Sequence, residues 1–312
     1  MKAGADRPFL RRLGRTHLLL TIPPQRATII TAKGTCTGGV SAVERTALRR
    51  EKERIVTMIA EKMKPLVNNN SAIRAMFEEG KRLAAQYGAE NVYDFSLGNP
   101  NVPAPAEVNQ AIIDLVNEED SVFLHGYMSN AGYEDVRRTV AQSLNSRFGT
   151  HFHENNILMT VGAASGLNVI LKTLLNPGDE VLTFAPYFVE YGHYVRNYDG
   201  NLVVVSPNTE TFEPNLAEFA EKIGSRTKAV IINTPNNPTG VVYSAETLTA
   251  MADILRRKQE ELGTDIAIIS DEPYRELAYD GVEVPYVTKF YDNTVICYSY
   301  SKSLSLPGER IG

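Results

Sequence analysis

Residues 228–240 read Lys228-Ala229-Val230-Ile231-Ile232-Asn233-Thr234-Pro235-Asn236-Asn237-Pro238-Thr239-Gly240. An unbroken apolar run rich in β-branched residues runs straight into a turn of Asn, Thr, Pro and Gly. A run without polar alternation is the mark of a strand buried on both faces, as in parallel sheets covered by helices. The turn that follows is longer and more specialised than a simple connection requires. Working outward, the same pairing recurs. Asn156–Val161, Glu180–Phe184, Leu202–Val205, Ile266–Ser270 and Thr294–Tyr298 read as further strands. Ser165–Leu175, Tyr187–Asn197, Asn215–Ile223 and Ala245–Leu262 have helical spacing. Strands alternating with helices predict an α/β fold with a doubly wound, mostly parallel sheet.

Upstream, Met63–Tyr87 reads as helix broken near Pro65 and the Asn68-Asn69-Asn70 run. Glu107–Asn117 and Tyr133–Phe148 also read as helices. Asp94–Pro100 reads as an extended piece ending in a turn. Residues 1–43 carry seven basic side chains (Lys2, Arg7, Arg11, Arg12, Arg15, Arg26, Lys33) against one acidic, Asp6. Such a tail suits a targeting peptide or a nucleic-acid arm; the plainer expectation is a disordered extension, or sequence upstream of a true start at Met58. The expected organisation is an extension at 1–57, a segment at 58–105 contributing to a small domain and a substrate loop, and an incomplete large domain at 106–312.

The chain is 43% hydrophobic and 22% charged, with a net charge of −5, the composition of a globular domain with a sizeable core. No run reaches the roughly 18 apolar residues of a membrane span. Cys36 and Cys297 are too few for a disulfide framework, and a reducing, cytoplasmic setting is expected. His151 and His153 sit on a polar turn without a third ligand, so no metal site is expected.

In an open parallel sheet, ligands bind beyond the carboxyl ends of the strands. Four polar motifs fall there. Gly162-Ala163-Ala164 opens a helix, and the free N–H groups and dipole of a helix start suit a phosphate. The turn 233–240 presents amide side chains on a rigid loop. Asp271 ends an apolar strand, and a partly buried carboxylate there needs a cationic or hydrogen-bonded partner, which a protonated pyridine nitrogen would supply. Tyr274 follows as a phenol donor, while Glu272 belongs to the strand's other face. The fourth motif, Ser299-Tyr300-Ser301-Lys302-Ser303, delivers an amine into a hydroxyl-rich turn, as Schiff-base chemistry needs. Each has a bland reading as a cap, core residue or surface charge. Together they describe a pocket for pyridoxal 5'-phosphate.

With Asn-Asn-Pro-Thr-Gly at 236–240, Asp-Glu-Pro-Tyr at 271–274 and Ser-x-Ser-Lys at 299–302 with Arg310 eight residues on, the chain resembles the class I/II aminotransferases. These are fold-type I pyridoxal phosphate enzymes of the aspartate aminotransferase family. The resemblance runs from about residue 63 to Gly312. It implies that Lys302 bonds the cofactor and shuttles the proton, and that Asp271 pairs with the pyridine nitrogen. Asn237 and Tyr274 would donate to the cofactor's phenolic oxygen. Ala163, Ala164, Ser299 and Arg310 match the phosphate cradle, and Phe188 the aromatic that stacks on the ring. Tyr127 matches a tyrosine that reaches the phosphate of a neighbouring subunit, implying a homodimer with shared sites. Gly98, with Asn237, matches the substrate-binding positions.

The activity implied is ping-pong amino transfer between an L-amino acid, aspartate or an aromatic one favoured, and a 2-oxo acid. Family members continue past this lysine, and their arginine for the substrate carboxylate lies beyond Gly312. The expectation is therefore a C-terminally truncated chain with open sheet edges, poorly stable or inactive. A carbon–sulfur lyase with the same cofactor site, and a non-enzymatic sensor domain, are the alternatives. Neither nucleic acid nor membrane is expected as a partner.

Overall fold

The computed structural model describes residues 58–64, 72–95 and 98–312. The expectations for residues 1–57, for the break near Pro65 and Asn68–Asn70, and for part of 94–100 lie outside the described residues. The chain divides into two compact units, Met1–Leu97 and Gly98–Gly312. In the first, helix α1 (Ala72–Tyr87) is followed by a 3-10 turn at Ala89–Asn91.

The second unit runs α2 (Ala106–Glu118), α3 (Ser121–Leu124), α4 (Glu134–Phe148), α5 (Ala163–Leu174), β1 (Glu180–Phe184), α6 (Glu190–Asn197) and β2 (Asn201–Val205). It continues with α7 (Leu216–Lys222), β3 (Thr227–Asn233), α8 (Ala245–Leu262), β4 (Ala267–Asp271), β5 (Thr294–Cys297) and α9 (Tyr300–Ser303). The five strands form one sheet in the order β2-β1-β3-β4-β5, and every pairing is parallel.

Alternate residues of each strand feed two cores, as the period of two requires. Val230 and Ile232 of β3 face Phe219 of α7 and Leu248, Met251 and Leu255 of α8. Ala229 and Ile231 face Leu167 and Leu171 of α5 and Tyr191 and Val195 of α6. Helices on both faces make the sheet doubly wound, and the apolar runs lack polar alternation because both faces are covered. Helix α8 shows how local sequence meets this demand. Its buried Leu248, Met251, Ala252 and Leu255 recur at helical spacing, the Ser244 side chain accepts from the Thr247 N–H, and Gly263 at φ +63° ends it in the left-handed conformation.

The structure departs from the sequence reading at Asn156–Val161, which is not a strand of the sheet. Thr160 exchanges a reciprocal pair of backbone hydrogen bonds with Gly312, at 2.7 and 3.0 Å. One residue pair does not make a ladder, so apolar content alone leaves this run merely extended. The helix expected from Tyr187 starts at Glu190, which leaves Tyr187 and Phe188 on the loop before it. Strand β5 is a sheet edge. Its residues Thr294–Ile296 and the run Ile157–Met159 together line a groove of about 410 Å³, with Phe148, Tyr286 and Tyr300.

Candidate active site

Strand register lines up the ends of β3, β4 and β5: Asn233 lies opposite Asp271, and Asp271 opposite Cys297. Asn233 ties the row together. Its Nδ2 donates to the Asp271 backbone carbonyl at 2.7 Å, and its Oδ1 accepts from the Asn237 N–H at 2.6 Å. Beyond this row lies a cavity of about 190 Å³. Ala163 and Ala164 reach it from the start of α5, and Phe188 from the loop before α6. Asn237, Asp271 and Tyr274 come from the segments at the ends of β3 and β4, and Ser299, Lys302 and Arg310 from the segment after β5.

Asp271 is the electrostatic centre. The residue is 5% exposed. Its Oδ2 accepts a 2.6 Å hydrogen bond from the Tyr191 hydroxyl, while Oδ1 is buried with no hydrogen-bond partner. Burial pushes its acid up to about 7; the Tyr191 bond opposes the shift and the nearby Glu272 adds to it. An orphaned carboxylate oxygen costs free energy unless a cation or donor meets it, and Asp271 is among the residues that line the cavity.

Glu272 lines the separate groove beside Phe148 rather than this cavity, as strand alternation requires. Its carboxylate accepts from Ser270 Oγ at 2.7 Å and from Arg275 Nε at 2.6 Å. Arg275 also donates to the Val284 and Pro285 carbonyls and packs over the rings of Phe148 and Tyr286. The two adjacent carboxylates thus have separate environments and are not an acid–base pair.

At the opposite wall, Gly162 precedes α5 with φ +79°, so the chain turns sharply into the helix. A Cβ there would meet Arg310 Nη2 at 2.6 Å, so the missing side chain leaves room for the guanidinium beside the helix start. Arg310 itself holds φ +56°, a costly conformation for a non-glycine residue. Free helix N–H groups and a guanidinium side by side suit a phosphate dianion. Lys302 donates from Nζ to the Gly98 carbonyl, and burial lowers the pKa of its amine. Asn237 Nδ2 donates to the Tyr274 hydroxyl oxygen at 3.2 Å.

A model of the class I and II aminotransferases matches residues 89–312. The chain belongs to that family.

An aspartate aminotransferase of Pyrococcus horikoshii is 31% identical over 265 residues, which are 84% of this chain and 63% of that protein. A probable aspartate/prephenate aminotransferase of Thermus aquaticus is 35% identical over 217 residues, 69% of this chain and 54% of that protein. Among solved structures, an aminotransferase from Eubacterium rectale matches with a TM-score of 0.79 and 52% identity, over 81% of this chain and 64% of that one. An aspartate aminotransferase from Thermus thermophilus, solved with maleate, matches with a TM-score of 0.71 and 28% identity, over 81% and 63%. This aminotransferase-family chain spans less than two thirds of the length of each.

Two residues singled out from sequence stand apart from the cavity wall. Tyr127 is fully exposed and outside the cavity. Gly98 does not line the cavity and reaches it only through its carbonyl, which takes the Lys302 bond. The sequence reading missed Tyr191, Tyr194 and the buried Ser301. Tyr194 lines the cavity, and burial pushes its phenol up to about 12. Helical spacing from Phe188 puts Tyr191 near the site, but only the fold shows its hydroxyl meeting Asp271. Among the described residues no His, Cys, Asp or Glu cluster is arranged to hold a metal ion.

Proposed function

We propose that this chain is the cofactor-binding part of a pyridoxal 5'-phosphate-dependent aminotransferase. It would move an amino group between an L-amino acid, aspartate or an aromatic one favoured, and a 2-oxo acid. The observation that carries this reading is that Asp271, whose Oδ1 is buried without a partner, lines the same cavity as Lys302, whose amine pKa burial lowers. Pyridoxal phosphate has a ring nitrogen for the first, an aldehyde for the second and a phosphate for the α5–Arg310 corner. When bound, it supplies an electron sink for the substrate's Cα–H bond.

The chain's own residues would supply position and proton transfer. Asp271 keeps the ring nitrogen protonated. Arg310, Ser299 and the N–H groups of Ala163 and Ala164 hold the phosphate. Asn237 and Tyr274 donate to the phenolic oxygen, and Phe188 covers one ring face. Lys302, its amine eased toward the neutral form by desolvation, takes the proton from the substrate Cα at Nζ and returns it nearby. Tyr127 serves the phosphate of a partner subunit in a homodimer, and Gly98 lies beside the substrate. A cytoplasmic enzyme fits this chemistry.

The test is a paired assay on the full-length protein with added pyridoxal phosphate. Amino transfer that depends on a 2-oxo acid, abolished in Lys302→Ala, is the expected result. Pyruvate and ammonia from cystathionine without an acceptor would move the reading to a carbon–sulfur lyase.

A further inference from the structure

Tyr191 lies in the first turn of α6, packed against residues that line the site, and is 1% exposed. Three neighbours converge on it. Its hydroxyl donates to Asp271 Oδ2 at 2.6 Å. Its ring packs edge-on against Phe188, with centroids 5.7 Å apart at 85°, and lies nearly parallel to Tyr187 at 6.4 Å. One side chain therefore touches both the carboxylate and the aromatic wall of the cavity.

Among the described residues no other side chain donates to the Asp271 carboxylate. Glu272 turns to Ser270 and Arg275. The Cys297 thiol donates to the Ala163 carbonyl, and Tyr274 is engaged by Asn237. The Asp271 carboxylate thus has one oxygen bonded and one free. Without the phenol both oxygens would be orphaned, and nothing would fix which of them faces the cavity.

We propose that Tyr191 is a positioning residue: its hydroxyl engages one oxygen of Asp271 so that the other is presented, ionised, to the protonated ring nitrogen of a bound pyridine cofactor. This rests on the pyridoxal phosphate reading above. It assigns Tyr191 a task distinct from filling the core, because its effect passes through one atom of the cofactor, the ring nitrogen.

That distinction sets the experiment. Dissociation constants are measured for pyridoxal phosphate and for its 1-deaza analogue, in which a C–H replaces the ring nitrogen, with the chain as it stands and with Tyr191→Phe. The unchanged chain prefers the true cofactor. Tyr191→Phe loses about tenfold or more of that preference, the scale of one charge-assisted hydrogen bond, while its affinity for the analogue stays nearly constant. Equal weakening of both ligands makes Tyr191 a plain core residue and overturns the proposal, as does an unchanged preference. An unchanged chain that binds neither ligand, or binds both equally, removes the cofactor reading itself and this proposal with it. A second measurement needs no variant. The Tyr191 hydroxyl proton, followed by NMR with labelled tyrosine, should shift on binding pyridoxal phosphate and hold still with the analogue; the same response to both counts against the proposal.

Discussion

Asp271 carries a cost in the free chain that its expected ligand removes. Its acid lies at about 7 when folded, above the ordinary carboxylate value of 3.8. Between those values the folded chain holds a proton that the unfolded chain has released. The group therefore lowers stability progressively as pH rises from about 4 to about 7, and the loss is complete above that window. Asp271→Asn should stabilise the cofactor-free chain at pH 8 by on the order of a few kcal/mol. It should do little at pH 4, and it should weaken cofactor binding. Urea unfolding at the two pH values measures this; equal shifts at both would show that the carboxylate is not held neutral by burial. Gly162 is the other residue with a sharp consequence. Gly162→Ala places a Cβ against Arg310 Nη2 at a positive φ. It should cost about 1–2 kcal/mol of stability and displace the guanidinium, so that affinity for pyridoxal phosphate falls further than affinity for pyridoxal. Equal losses for the two ligands would take Arg310 out of the phosphate corner.

The turn after β4 is held from behind by the Glu272–Arg275 pair, buried at 0% and 5% side-chain exposure. Breaking such a pair leaves a charge in the core, so Arg275→Met should destabilise the chain by about 3–5 kcal/mol, whereas Glu272→Gln with Arg275→Met should recover much of that. Thermal melts of the single and double variants decide it, and a double variant no better than the single contradicts it. The five strands of the sheet were legible because each is an apolar run closed by turn residues, and α8 because its caps and its apolar spacing agree. The run at 156–161 was misread for the converse reason. Its composition is that of a strand, but pairing is a long-range property, and among the described residues only a single backbone bond to Ala131 and one pair with Gly312 meet it. The convergence of Asp271, Tyr274, Asn237 and Lys302 was legible because parallel strands put their following loops on one edge. Tyr191 was not, since a tyrosine on the buried stripe of a helix reads as core. Which buried tyrosine meets a carboxylate 80 residues away is settled by helix-to-sheet packing.

The sheet ends at β5 with backbone groups along its outer edge, and Val295 at the middle of that strand is 40% exposed. Among the described residues nothing pairs with that outer edge, and an open edge beside a groove of about 410 Å³ favours pairing with another chain. The chain should therefore self-associate with rising concentration, and Val295→Lys should suppress this; light scattering that shows a monomer at all concentrations would contradict it. The proposed chemistry stands on one covalent expectation, that the cavity at the strand ends brings an aldehyde to Lys302. The direct measurement is to add pyridoxal phosphate, reduce with borohydride, digest and locate the pyridoxyl group by mass spectrometry. The expected result is one modified residue, Lys302, with the label lost in Lys302→Ala. Label spread over surface lysines, or undiminished in that variant, would contradict it.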